Sequence, residues 1–145
     1  MAIHTEQITT EAQYEQALQI RMIVFVQEQN VPPELEVDEH ENEAIHVLAC
    51  DEDGQPVATG RIRAYKDGAG KMERIAVMKA GRGKGYGAAV MHKLEEIGRE
   101  QGFTSFILEA QTHAEAFYEK LGYRTISDEP FLDAGIWHVR MIKEA

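Results

Sequence analysis

The stretch Arg82-Gly83-Lys84-Gly85-Tyr86-Gly87 restricts what this chain can become more than any other. It lies between an apolar segment ending at Val77 and a helical pattern in which Val90, Leu94 and Ile97 recur on one face. Alternate glycines let a backbone approach a ligand with no Cβ in the way. A helix start presents N–H groups that have no intrahelical partner and carry partial positive charge, so it suits an anion. Arg82 and Lys84 add mobile cations, the combination that a pyrophosphate needs. An ordinary turn decorated with solubilising charges is the alternative reading.

Local positive charge stands out because the whole chain carries a formal charge of −10. Such a surface repels a phosphate backbone, which argues against nucleic-acid binding. The acids gather after Pro32-Pro33, in Glu34, Glu36, Asp38, Glu39, Glu41 and Glu43. That run is either a solvated loop or a site that attracts a cationic amine.

A length of 145 residues suits one domain, and residues 1–145 read as a single α+β unit without repeats or linkers. Residues 3–8 alternate like a strand. Thr10 and Gln13 have the spacing of a capping box before a helix with the stripe Tyr14, Ala17, Leu18, Met22 and Phe25. Segments 44–50, 56–65 and 71–77, joined by glycine-containing turns, predict an antiparallel meander. A helix follows from Tyr86 to a stop at Gly102. Segment 105–110 is then a strand brought parallel to 71–77 by a right-handed crossover. A short helix over 114–121 and strands over 123–127 and 136–142 close the chain.

Cys50 is the only cysteine, so no internal disulfide forms, and its place at the end of an apolar segment suggests a buried spectator. No apolar run approaches the roughly 20 residues that cross a bilayer, and the first ten residues lack a secretory pattern; no membrane and a cytoplasmic location are expected. His4, His40, His46, His92, His113 and His138 show no paired metal spacing, so no metal is expected. His113 and His138 read as surface or capping residues.

The segment from Gly83 to Ala88 also satisfies the G-x-G-x-x-A dinucleotide fingerprint, with Glu109 near the distance of a ribose-binding acid. A dinucleotide domain, however, opens with this unit and continues with further parallel strands. Here three antiparallel strands precede it, and the chain ends too soon after Glu109.

Two motifs in order are more specific than either alone. Arg82, Gly85 and Gly87 spell R-x-x-G-x-G, and Ala114, Phe117, Tyr118, Lys120, Leu121, Gly122 and Tyr123 spell A-x-x-F-Y-x-K-L-G-Y. In this order they resemble the GNAT acetyltransferases, and residues 21–32 resemble the ElaA/YjcF-like bacterial subgroup. The resemblance implies a mixed, strongly bent sheet of about seven strands flanked by helices. Its fourth and fifth strands splay apart, and the pantetheine arm of coenzyme A lies in the gap. It implies an acyl-CoA-dependent N-acyltransferase that moves acetyl from acetyl-CoA to a small-molecule amine by direct transfer. An NAD(P)-binding oxidoreductase and a non-catalytic acyl-CoA sensor are the rivals, and a homodimer is left open.

Carried onto this sequence, the resemblance places Ile75, Ala76 and Val77 along the pantetheine. Arg82 and the turn Gly83, Lys84, Gly85, Tyr86, Gly87 and Ala88 fall on the pyrophosphate, with Phe117 and Gln111 beside the arm. Many relatives have Asn where Gln111 stands. Arg21, Glu28 and Gln29 fall where the acceptor pocket is framed, with helix-surface pairing the alternative for Arg21 and Glu28. An amino sugar phosphate, a polyamine, an amino acid and a protein amine are all open as acceptors.

Acyl transfer to an amine needs a base, an oxyanion donor and a proton for the departing thiolate. Glu73 is the candidate base, since alternation gives it the parity of Ile75 and Val77; a salt bridge to Arg61, Arg63 or Arg74 is the alternative. Tyr118 is the candidate proton donor to sulfur, against a packing role, and the Val77 N–H is the candidate oxyanion donor.

Overall fold

The computed structural model describes residues 2–145. Strand β1 (His4–Gln7) leads into helix α1 (Glu11–Arg21), whose start is fixed by a reciprocal cap. The Thr10 hydroxyl accepts from the Gln13 N–H at 3.2 Å, and the Gln13 side chain accepts from the Thr10 N–H at 3.0 Å. The helix continues as a wider π-helical segment, Met22–Glu28, and a four-residue helix α2 (Pro33–Glu36) follows. Strands β2 (Ile45–Cys50), β3 (Pro56–Ala64) and β4 (Ala69–Val77) form the expected antiparallel meander. Helix α3 (Tyr86–Glu100) crosses over to β5 (Ser105–Gln111), which runs parallel to β4. Helix α4 (Glu115–Lys120) precedes β6 (Arg124–Thr125), β7 (Phe131–Asp133) and β8 (Ile136–Glu144).

The strands make one mixed sheet in the order β1-β2-β3-β4-β5-β8-β6, with β7 also paired to β8. The described residues form eight strands, in keeping with the sheet of about seven expected; the addition is β7, three residues long, which follows Pro130 in a segment that reads as loop. β4 and β5 are the single parallel pair, which leaves no parallel array of the kind a dinucleotide domain requires.

The two faces of the sheet differ. On one, Val90, Met91, Leu94 and Ile97 of α3 pack on Val47, Ile62, Met72, Phe106, Leu108, Val139 and Met141 to form the main core. On the other, Ala17, Ile20 and Val24 pack on Leu48, Cys50 and Ala76. Beside that smaller cluster the face carries a charged array in place of apolar side chains.

One irregularity decides which residues share a face. The pairing of β3 with β4 steps from Arg61↔Glu73 to Thr59↔Ala76, so Arg74 and Ile75 together oppose Gly60. Arg74 takes φ 59°, the left-handed conformation of a β-bulge. Gly60 is required there, since a Cβ would lie 2.6 Å from Ile75 Cδ1 and 2.8 Å from Val90 Cγ1. Beyond the bulge the alternation is reversed. Ile75 and Val77 join the main core with Met72, while Glu73 faces the charged side with Ala76. The parity that aligned Glu73 with Ile75 and Val77 is thereby corrected.

Candidate active site

The parallel ladder between β4 and β5 stops at Met72↔Leu108. From Glu73 and Glu109 onward the strands part, and a cavity of about 690 Å³ occupies the gap. Met78 N–H bonds to the Val57 carbonyl on β3 at 2.8 Å, so the alternating N–H and C=O of Val77 turn toward the open side. The Val77 carbonyl accepts there from Arg82 Nε at 3.0 Å. Ile75, two residues back, presents its backbone on the same edge.

At one end of the cavity lies the glycine-rich turn. Gly83 and Gly85 have φ of 77° and 91°, which explains their identity. No side chain caps α3, so the backbone amides of Gly87 and Ala88 line the cavity at the positive end of the helix. A Cβ on Gly87 would stand 3.1 Å from Phe117 Cζ and 3.6 Å from Val77 Cγ2. Arg82, Gly83, Gly85, Tyr86, Gly87, Ala88 and Phe117 all line the cavity. Lys84 does not; it borders a smaller hollow on the other side of the turn, with Asp51, Glu52 and Asp53.

Tyr118 lines the same cavity from α4. Its ring packs edge-on against Phe117 at 5.0 Å and Tyr123 at 6.1 Å. Its hydroxyl makes no hydrogen bond among the described residues. Burial pushes the phenol up to about 12, so it keeps its proton across the neutral range.

The other end of the cavity is built from β4, β5, β8 and the π-helical segment. Gln111 Nε2 donates to Gln29 Oε1 at 2.8 Å, tying the segment after α1 to the end of β5. Glu28 receives Arg82 Nη2 at 2.5 Å, so it reaches across to the glycine-rich turn. Arg21 does not line the cavity. It is 1% exposed and lies beneath the wall, where Nε donates to Glu36 Oε1 at 2.6 Å and Nη2 to the Glu36 carbonyl at 2.7 Å, while Nη1 pairs with Glu41. Helix packing therefore uses the Arg21 guanidinium to hold α2, and Glu36 rather than Arg21 reaches the cavity wall.

Glu73 lines the cavity within an array of cations. Its Oε1 accepts from Arg63 Nε at 2.8 Å and Arg61 Nη2 at 2.8 Å, and Lys71 Nζ lies 3.5 Å from Oε2. Burial favours its neutral form, but Arg63, Arg61 and Lys71 together hold the carboxyl below its usual range. A carboxylate so held is a poor acceptor for an alkylammonium proton. The ion-pair reading of Glu73 thus fits this environment, and direct proton removal by it does not.

The acidic run after Pro32-Pro33 divides in the same way. Glu36, Asp38 and Glu41 are bonded by Arg21, Arg61 and Arg74, and Arg61 holds the Asp38 carboxyl well below the usual range. Glu34, Glu39 and Glu43 stay exposed. Sequence reasoning missed these partners because each pair joins segments 15 or more residues apart. It also missed Lys71, which lines the cavity without belonging to a motif.

A sheet opened between its fourth and fifth strands, with an uncapped helix and an arginine at one end of the opening, is the architecture of an acyltransferase. The model of the acetyltransferase (GNAT) domain matches residues 6–145, and the chain belongs to that family. It is 49% identical over 134 residues to YjcF of Bacillus subtilis, described as an uncharacterized N-acetyltransferase, covering 92% of this chain and 94% of that one. The crystal structure of Escherichia coli ElaA superposes with a TM-score of 0.84 at 28% identity, covering 99% of this chain and 100% of ElaA. A GNAT acetyltransferase from Elizabethkingia anophelis, solved with acetyl-CoA bound, shares the fold at 15% identity and a TM-score of 0.74, covering 99% and 98% of the two chains. No helix among the described residues is long and apolar enough to cross a membrane.

Proposed function

We propose that this protein is a cytoplasmic N-acetyltransferase that moves acetyl from acetyl-CoA directly to a small-molecule amine. The observation that carries the reading is the gap beyond Met72 and Leu108. It exposes the backbone edge of Ile75 and Val77, and runs from the α3 start and Arg82 to the polar wall around Gln111. The donor set fits the coenzyme. Arg82 with the amides of Gly87 and Ala88 would hold the pyrophosphate, and the open edge of β4 would receive the pantetheine amides. Gly83, Gly85, Tyr86, Phe117 and Gln111 complete that wall. Lys84 is reserved for the outer side of the turn.

The coenzyme supplies a thioester carbonyl that an amine attacks. Val77 N–H is the donor best placed for the developing oxyanion, as it points to the open edge. Tyr118 stays protonated and is assigned to the departing sulfur. Glu28 and Gln29 frame the acceptor side, with Arg21 supporting α2 behind them. An acyl-CoA sensor without catalysis would need the same donor wall, and turnover separates the two.

The test is a thermal-shift panel of CoA, acetyl-CoA, longer acyl-CoAs, NADH and NADPH, followed by thioester consumption over a series of amines. A ligand at 100 times its dissociation constant adds about 2.7 kcal/mol of stability. Stabilisation by acetyl-CoA with amine-dependent thioester loss is expected. Stabilisation by a nicotinamide cofactor alone would overturn the proposal.

A further inference from the structure

We propose that His138 is the base that removes the proton from the attacking amine. This inference rests on the acetyltransferase reading above. His138 is 8% exposed, lies on β8 directly opposite Gln111 of β5, and lines the cavity. Its Nδ1 lies 2.7 Å from the Ile136 carbonyl. A carbonyl only accepts, so Nδ1 carries the hydrogen, and the lone pair of the neutral ring sits on Nε2. Nε2 makes no hydrogen bond among the described residues. Phe131 of β7 stacks on the ring with 6.0 Å between centroids and 23° between planes, which fixes its plane.

Two competing carboxylates on this wall are committed elsewhere. Glu73 is engaged by Arg61, Arg63 and Lys71, and Glu109 by Lys71 at 3.0 Å and Arg140 at 3.0 Å. Gln111 Oε1 takes the His113 Nε2 hydrogen at 2.7 Å, which leaves His113 no donor-free nitrogen on that side. Glu109 of β5 shares the cavity with His138 and is paired to Arg140 of β8. Lys71, Glu73 and Arg74 line it from β4, Asp133 ends β7, His113 and Tyr118 border the α4 side, and Glu28, Glu36 and Arg82 also line it. Apart from Asp133, these carboxylates are paired with cations, and the Nε2 lone pair of His138 is engaged by none of the described groups around it.

The step balances as follows. The acceptor ammonium first gives one proton to His138 Nε2, and the nitrogen pair so freed forms a C–N bond to the thioester carbonyl carbon. The C–S bond breaks with its pair on sulfur, which takes the Tyr118 proton. The second surplus proton on nitrogen returns through solvent to the phenolate and the imidazolium releases its own to water, leaving an amide, a free thiol and the protein unchanged.

The experiment compares wild type, His138→Ala and His138→Gln. The donor is acetyl-CoA, and the acceptors are hydroxylamine, already neutral at about pH 7, and the best substrate among spermidine, lysine and glucosamine 6-phosphate. His138→Ala is expected to lose on the order of 100-fold in turnover with the alkylamine and much less with hydroxylamine, at unchanged acetyl-CoA affinity. Added imidazole should restore the alkylamine rate, which a structural defect would not allow. Equal losses with both acceptors and no imidazole rescue would overturn the assignment. Nitrogen-15 NMR of the wild type reads the tautomer without any variant, and a hydrogen on Nε2 of the neutral ring would overturn it too. Failure of wild type to bind acetyl-CoA would sink the acetyltransferase reading itself, a separate result.

Discussion

Glu73 and Ile75 stand two positions apart on β4 and project to opposite faces of the sheet, because Arg74 between them adds a residue to its strand at φ 59°. The bulge does two things at once. It turns Glu73 into the cationic array on one side, and it sets Ile75 against the main core on the other.

The first consequence concerns Glu73→Gln. The carboxylate is 14% exposed and shared by Arg61 and Arg63, which would be left undercompensated in a buried setting. Arg61 keeps Asp38 and Glu41, so we expect a loss of roughly 2 kcal/mol, less than for an isolated buried pair. For a chain of this size that lowers Tm by about 4–8 °C.

The same substitution should change the acid limb of stability. The folded protein holds the Glu73, Glu109 and Glu41 carboxyls below their ordinary range. Their contribution is complete above the unfolded value of about 4.3 and is lost as pH falls through the folded values. Glu73→Gln lacks one of these groups, so its stability should fall less steeply below about pH 4 in urea titrations at stepped pH.

Glu28→Gln should tighten acetyl-CoA binding. Glu28 and Arg82 are 31% and 44% exposed at their side chains, so their pair contributes at most about 1 kcal/mol. Removing the carboxylate frees Arg82 for the pyrophosphate, and calorimetry should show up to about a 5-fold gain in affinity. Weaker binding would show that Glu28 supports the donor end of the cavity.

Tyr118→Phe should lower turnover by about 100-fold, the low end for general acid catalysis, without weakening acetyl-CoA binding. A phenol pushed up to about 12 is a weaker acid than the thiol, at roughly 8.5, so its proton moves uphill to sulfur and the transfer is completed only as the phenolate is reprotonated. For the same reason no phenol ionisation should limit the wild-type rate below about pH 11.

Gly87→Ala separates ligand contact from folding. The added methyl meets Phe117 Cζ at 3.1 Å, and Phe117 is 38% exposed and free to give way. Tm should move by only about 2 °C, while the methyl crowds the helix start and weakens acetyl-CoA roughly 10-fold.

Particular residues show why some of this was legible in the sequence. Gly83 and Gly85 announce their backbone conformation, and the strand, turn and helix around them follow from periodicity. Thr10 and Gln13 likewise carry their cap in their spacing. Arg74 carries no such mark, since a left-handed arginine looks like any strand arginine, and the hint lay across the ladder in Gly60. The partners of Glu36, Asp38 and Glu41 were hidden because ion pairs between distant segments leave no periodic trace. His138 was hidden for a similar reason, since the wall around it comes from β5 and β7.

The end of the β4–β5 ladder at Met72 and Leu108 also has a mechanical meaning. Among the described residues four paired positions, Ala69↔Ser105 through Met72↔Leu108, form the strand pairing between the half-sheet β1–β4 and the half-sheet formed by β5, β8, β6 and β7, extended at its closed end by Thr104 N–H to the Gly68 carbonyl at 3.0 Å. A seam that short, placed at one end of the strands, has the geometry of a hinge with its open jaw at the candidate site. We expect small rotations about it to widen or narrow the jaw without breaking either half-sheet, and a molecule bridging both strands to hold it closed.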